Sequence, residues 1–190
     1  MKIVDWMLSL RRSTRLSKRS SRQHQKSSVS NRSGIEHLED RTLLTIAFDF
    51  NYGGAIGSGI GFEDATDGQA RRDSLEAAAA TFGAFFDETG TIEVDVTSYS
   101  NSSSSTLASA GSSFFLGGSG DFSHRIAAAK ILTGIDLNGG DSDASLSVNW
   151  AKSFELASDF QAGEYDFTAV IMHELSHVLG FNSLIAQNGT

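Results

Sequence analysis

The chain has 190 residues, with 15 Lys and Arg against 23 Asp and Glu and a formal net charge of −8, which is length enough for one domain with a core of its own. The charge is divided: residues 1–41 carry 10 basic and 4 acidic side chains, a balance of +6, whereas residues 42–190 carry 5 and 19, a balance of −14. An acidic body with no basic or aromatic stripe speaks against a nucleic-acid partner. The absence of cysteine removes disulfides and thiolate ligands, and no apolar run reaches the roughly 18 residues of a membrane span.

Residues 1–41 read as a basic, serine-rich leader, mostly disordered. Its apolar stretch, Met1 to Leu10, precedes the basic run from Arg11 to Arg32, the reverse of a secretory signal. Arg11 and Arg12 form a twin-arginine pair, but no apolar region follows them. Ile35 to Leu44 closes the leader. Its Leu38-Glu39-Asp40-Arg41-Thr42-Leu43-Leu44 resembles the L-E-x-R-x-L-L sequence near the start of many large exported proteins of planctomycete bacteria, and the resemblance implies export. An amphipathic turn leading into a strand is the alternative.

The domain is expected over residues 42–190. Leu44, Ile46, Phe48, Phe50 and Tyr52 alternate with polar or small residues as in a half-buried strand. A glycine-rich connection follows, without the spacing or lysine of a nucleotide loop. Residues 65–86 form a helix with Leu75, Ala78, Ala79, Phe82, Phe85 and Phe86 on its core face. Gly90 stops it, and Thr91 to Thr97 alternates as the next strand, with Glu93 and Asp95 turned to solvent. Such a succession predicts an α/β (α+β) fold, a twisted mixed sheet with packed helices.

Ser98 to Ser113 is low in complexity and reads as a surface loop, after which Phe114, Phe115 and Leu116 return the chain to the core. Asp121 or Ser123 is expected to cap a short helix from Ile126 to Leu132 that Gly134 ends; His124 is read as incidental. Asp136, Asn138, Asp141 and Asp143 crowd around Gly139-Gly140, an Asx/Gly turn with calcium as a second reading, though the spacing is not that of an EF-hand. Ala144 to Ala151 alternates again, with Leu146, Val148 and Trp150 on one side and Ser145, Ser147 and Asn149 on the other. Its position before the last helix suggests an edge on which an extended peptide could add.

That last helix carries the chemistry. Asp166 is a suitable N-cap for a helix from Phe167 to about Gly180, and within it stands His173-Glu174-Leu175-Ser176-His177. Two histidines four apart rise one above the other on one helix face, so both imidazoles can reach one ion, and Glu174 is placed to act on water rather than to ligate. Phe167, Ile171, Leu175 and Val178 occupy the opposite, core-facing arc, with Met172 and Leu179 at its margin. Imidazole ligands with open positions suit zinc.

His173 to Phe181 resembles the H-E-x-x-H-x-x-G-F opening of the metzincin zinc metallopeptidases, and its Leu-Gly-Phe ending is similar to the leishmanolysin group. The resemblance implies a zincin-like N-terminal subdomain with His173 and His177 as metal ligands, Glu174 as general base, and a protein or peptide substrate. It also implies a third histidine at position 183, where this chain has Ser183, or further on, where Leu184 to Thr190 offer no His, Asp or Glu. The expectation is therefore the N-terminal part of a longer, secreted zinc endopeptidase, cut before its third ligand and methionine turn. A gluzincin with a downstream glutamate ligand is a variant of that reading. A different class remains beside it: an exported surface or adhesion module with an incomplete, non-catalytic metal site.

Overall fold

The computed structural model describes residues 45–114, 125–157 and 161–181, all within the unit that spans Arg41–Thr190. The leader, the Leu38–Leu44 sequence, Phe115, Leu116, the proposed caps Asp121 and Ser123, His124 and Ser183 lie outside them. Among the described residues no helix is long and apolar enough to cross a membrane.

The alternating aromatic segment forms β1 (Ile46–Tyr52), and the next alternating segment forms β2 (Gly90–Tyr99), paired to it in parallel. Between them runs α1 (Gly68–Gly83). The helix is shorter than its apolar pattern at both ends. At its start the Asp64 carboxylate accepts hydrogen bonds from the N–H groups of Thr66 and Asp67, each at 2.9 Å, a turn that competes with helix. At its end Gly83 packs on the Ile46 carbonyl, an approach that a Cβ would block. Leu75, Ala78, Ala79 and Phe82 are buried as expected and Phe86 is partly so, but Phe85 lies beyond the helix and is 70% exposed.

β3 (Ala108–Ser112) and β4 (Ala144–Asn149) complete a four-stranded sheet of order β1-β2-β4-β3. β4 runs parallel to β2, and β3 runs antiparallel to β4. This is a mixed sheet with helices packed on it, the expected α/β (α+β) class, but two assignments within it are corrected. The serine-rich stretch is not all loop, because β2 continues to Tyr99 and β3 lies within it. The strand before the last helix is not an edge: β4 is flanked by β2 and β3, and the edge on that side is β3.

Asn149 is also corrected. It turns inward and is fully buried, with its Oδ1 accepting from the Asn101 N–H at 2.8 Å and its Nδ2 donating to the carbonyls of Asn101 and Thr106, both at 2.9 Å. One amide therefore replaces the backbone pairing that the 101–106 loop lacks.

α2 (Ile126–Thr133) starts at Arg125 without a side-chain cap of its own; instead the Ser112 hydroxyl of β3 accepts from the Ala127 N–H at 3.1 Å. Gly134 ends it in the left-handed conformation, φ 69°, as expected. Phe114 does not return to the core: it is 38% exposed and stacks under the Arg125 guanidinium. A short parallel pair, β5 (Phe154–Glu155) and β6 (Tyr165–Asp166), leads into α3 (Phe167–Val178).

The core lies between one sheet face (Ile92, Val94, Val96, Leu146, Val148) and the apolar sides of α1 and α3. Phe62, in the 3-10 turn Gly61–Glu63, is fully buried within it. Arg71 and Arg72 of α1 hold that turn by donating to the carbonyls of Gly61, Phe62 and Gly54. The same guanidiniums lie over the rings of Trp150 and Tyr52 at 4.5 and 3.9 Å.

Candidate metal centre

α3 begins where the sequence places it, the Asp166 carboxylate accepting from the Ala169 N–H at 2.9 Å. Phe167, Ile171, Leu175 and Val178 are fully buried. Phe167 lies among the rings of Phe62, Trp150 and Phe154, with centroids 6.5, 5.6 and 5.5 Å away. Four such side chains at about 1.5–3 kcal/mol each fix the helix in rotation, and this rotation sets where the polar residues go. His173 faces solvent, His177 is half-buried, and Glu174 falls on the flank of the core stripe, 8% exposed.

The helix ends in two hydrogen bonds. The Gly180 N–H donates to the His177 carbonyl at 3.1 Å and the Phe181 N–H to the Ser176 carbonyl at 3.0 Å, with Gly180 at φ 96°. This is a Schellman turn, which needs a left-handed residue at Gly180. It brings the Phe181 carbonyl oxygen to 2.8 Å from His177 Nδ1. A carbonyl only accepts, so Nδ1 carries the hydrogen and the His177 Nε2 lone pair is left free.

That lone pair faces His173 Nε2 at 3.1 Å. The rings stand nearly perpendicular, 81° apart with centroids separated by 4.6 Å. Two nitrogen lone pairs do not face each other at this distance without a positive charge or a hydrogen between them. Two imidazole nitrogens on one tetrahedral zinc, each at about 2.0–2.1 Å, stand about 3.3 Å apart. The pair therefore fits a zinc ion with only small adjustment.

Glu174 makes no hydrogen bond or ion pair among the described residues, although it is nearly buried. Neither of its oxygens is among the buried atoms left without a partner, so the carboxylate stays within reach of water. Among the described residues no group of three ligating side chains forms: the structure brings together His173 and His177, while Glu174 follows on the helix without joining them in a group.

Sequence reasoning missed the Phe181 carbonyl as the partner of His177. Its signal is the Leu-Gly-Phe ending, which at the level of sequence marks only a likeness to the leishmanolysin group. In the candidate calcium loop, the Asp136 carboxylate accepts from the N–H groups of Asn138 and Gly139, and Lys130 Nζ stands 2.8 Å from Asp143 and 3.5 Å from Asp136. An internal ammonium thus balances two of its carboxylates, while Asp143 Oδ1 and Asn138 Oδ1 are buried without a partner.

No protein-family profile, no curated protein and no solved structure matches this chain.

Proposed function

We propose that the chain carries the zincin-like metal helix of a secreted zinc endopeptidase, with His173 and His177 as metal ligands and Glu174 as general base. The observation that carries the reading is the 3.1 Å convergence of the two Nε2 atoms, one oriented by a backbone carbonyl, beside an unpaired carboxylate on the next residue of the helix. Zinc, when bound, supplies Lewis acidity that makes water nucleophilic near neutral pH. Glu174 takes a proton from the attacking water and returns it to the departing amine. The lack of a partner among the described residues leaves both of its oxygens available. β3, the sheet edge on the side of α3, is the strand to which an extended peptide would add. The Leu38–Leu44 sequence supports export.

Zinc titration of the purified chain, followed by calorimetry, tests the ligand assignment. Weak binding is expected, because among the described residues two imidazoles alone converge on the ion, and His173→Ala or His177→Ala abolishes it. Binding unchanged in both variants overturns the site. In a longer form carrying a third ligand, Glu174→Gln retains zinc but loses cleavage of an unfolded protein substrate; equal turnover sinks the general-base role.

The second reading, a surface or adhesion module with a non-catalytic site, is favoured by one observation, the lack of a third ligand among the described residues. It predicts zinc binding lost in the histidine variants with no cleavage in any form of the protein.

A further inference from the structure

At the far side of the sheet from β3, the seven-residue strand β1 pairs, among the described residues, with β2 alone. Its backbone makes no other backbone hydrogen bond among the described residues, so one edge of N–H and C=O groups is open. Proteins usually guard such an edge with lysine, proline, a bulge or a covering segment. β1 contains no lysine, arginine or proline, and its one charge is Asp49.

The open edge runs beside a groove of about 490 Å³ between β1 and α1, lined by Phe48, Phe50, Glu76, Ala79 and Ala80 among others. Phe48 and Phe50 are stacked, with centroids 6.3 Å apart, and only half-buried. On the opposite sheet face Asp49 lies beside Glu93 in the β1–β2 ladder. Like charges so placed repel. None of Asp49, Glu93 and Glu76 has an ion-pair partner among the described residues.

We infer that the β1 edge is a docking site for an extended, cationic peptide segment that adds as a fifth strand. Its alternate apolar side chains would lie against Phe48, Phe50 and the alanines of α1, and its intervening Lys or Arg side chains would meet Asp49 and Glu93 on the opposite sheet face. Charge complementarity selects this occupant over a second copy of the chain, since pairing β1 with β1 would set the same carboxylates against each other. The site is separate from the histidine pair and does not depend on its function.

Fluorescence anisotropy with a labelled eight-residue peptide of alternating Lys and Val, added to the full chain, tests the inference. Saturable one-to-one binding is expected, with none for the Glu/Val counterpart, and the Asp49→Lys/Glu93→Lys double variant should reverse the preference. Asp49 is exposed and Glu93 partly so, and circular dichroism checks that the fold is kept. Methylating alternate amides of the peptide, in one phase or the other, should weaken binding roughly tenfold or more, because strand addition needs those N–H groups. No binding of either peptide would mean that Asp49 merely guards the edge and would overturn the proposal. Equal binding of methylated and unmethylated peptides, or sedimentation showing that β1 is closed by self-association, would overturn it as well.

Discussion

His177 Nδ1 lies 2.8 Å from the carbonyl oxygen of Phe181, four residues further along the chain. The contact exists because Gly180 takes φ 96° and folds the chain back under the last turn of α3. A backbone conformation thereby fixes the tautomer of a candidate metal ligand, in the way that outer hydrogen bonds orient metal-binding histidines generally.

Gly180→Val tests this relationship. A β-branched residue resists the left-handed conformation by roughly 1–2 kcal/mol, and relaxing it moves the Phe181 carbonyl away from the ring. Zinc affinity, measured by competition with a chromogenic chelator, should fall by about 10–100-fold. The thermal transition should fall only modestly. Unchanged affinity would show that the carbonyl contact does not orient the ligand.

Glu174 leads to a second expectation. Its side chain lies beside the core stripe with no hydrogen-bond or ion-pair partner among the described residues, so replacing it by leucine should change the stability of the fold by less than about 1 kcal/mol. Denaturant unfolding measures this directly. Glu174→Gln should likewise change it little, because no hydrogen bond is lost. A larger loss of stability in Glu174→Leu would mean that the carboxylate has a structural partner, and the argument for a base held ready would go with it.

The legible parts of this chain were those in which side chains carry the pattern. β1, β2, β4 and α3 have alternating or helical apolar residues, and the positions of Phe167, Ile171, Leu175 and Val178 followed from a period of 3.6. The histidine pair was legible for the same reason, since helical spacing alone puts both rings on one face. β3 was not legible: Ala108 to Ser112 has no large apolar residue, and its strand is specified by backbone pairing to β4. The edge position could not be read either, since strand order depends on where β3 inserts. Phe85 and Phe114 misled because aromatic character was equated with burial, whereas one lies past a helix end and the other is covered by an arginine.

Asn149 is the residue through which β4 organises the 101–106 loop. Asn149→Asp keeps the acceptor for the Asn101 N–H but removes the donor to the carbonyls of Asn101 and Thr106. It also buries a charge. Destabilisation of about 2–4 kcal/mol is expected from two lost bonds and that charge, with faster amide exchange in residues 101–106 and little change in α3. Exchange that accelerates uniformly would show that the loop has no local dependence on Asn149.

Lys130, Asp143 and Asp136 supply the last prediction. The Asp143 side chain is fully buried and its Oδ2 accepts both from Lys130 Nζ at 2.8 Å and from the Glu93 N–H at 2.9 Å. Burial opposes the ammonium charge, but hydrogen bonding to Asp143 and the charges of Asp143 and Asp136 outweigh it and raise the Lys130 pKa above its ordinary 10.5. Its stabilising contribution is therefore complete below 10.5 and is lost as pH rises through the raised value. Asp136 has the opposite sign. Desolvation would raise its pKa, but the Asn138 and Gly139 N–H groups and Lys130 prevail and hold it below 3.8, so its contribution is present above 3.8 and is lost as pH falls through the lowered value. Lys130→Met leaves a buried carboxylate without its cation and should cost about 3–5 kcal/mol, while Lys130→Met combined with Asp143→Leu should recover much of it. Because an ammonium already stands between the two carboxylates, calcium should leave the melting temperature unchanged in the wild-type chain. A rise with calcium that a chelator reverses would show instead that the buried oxygens Asp143 Oδ1 and Asn138 Oδ1 take part in a cation site.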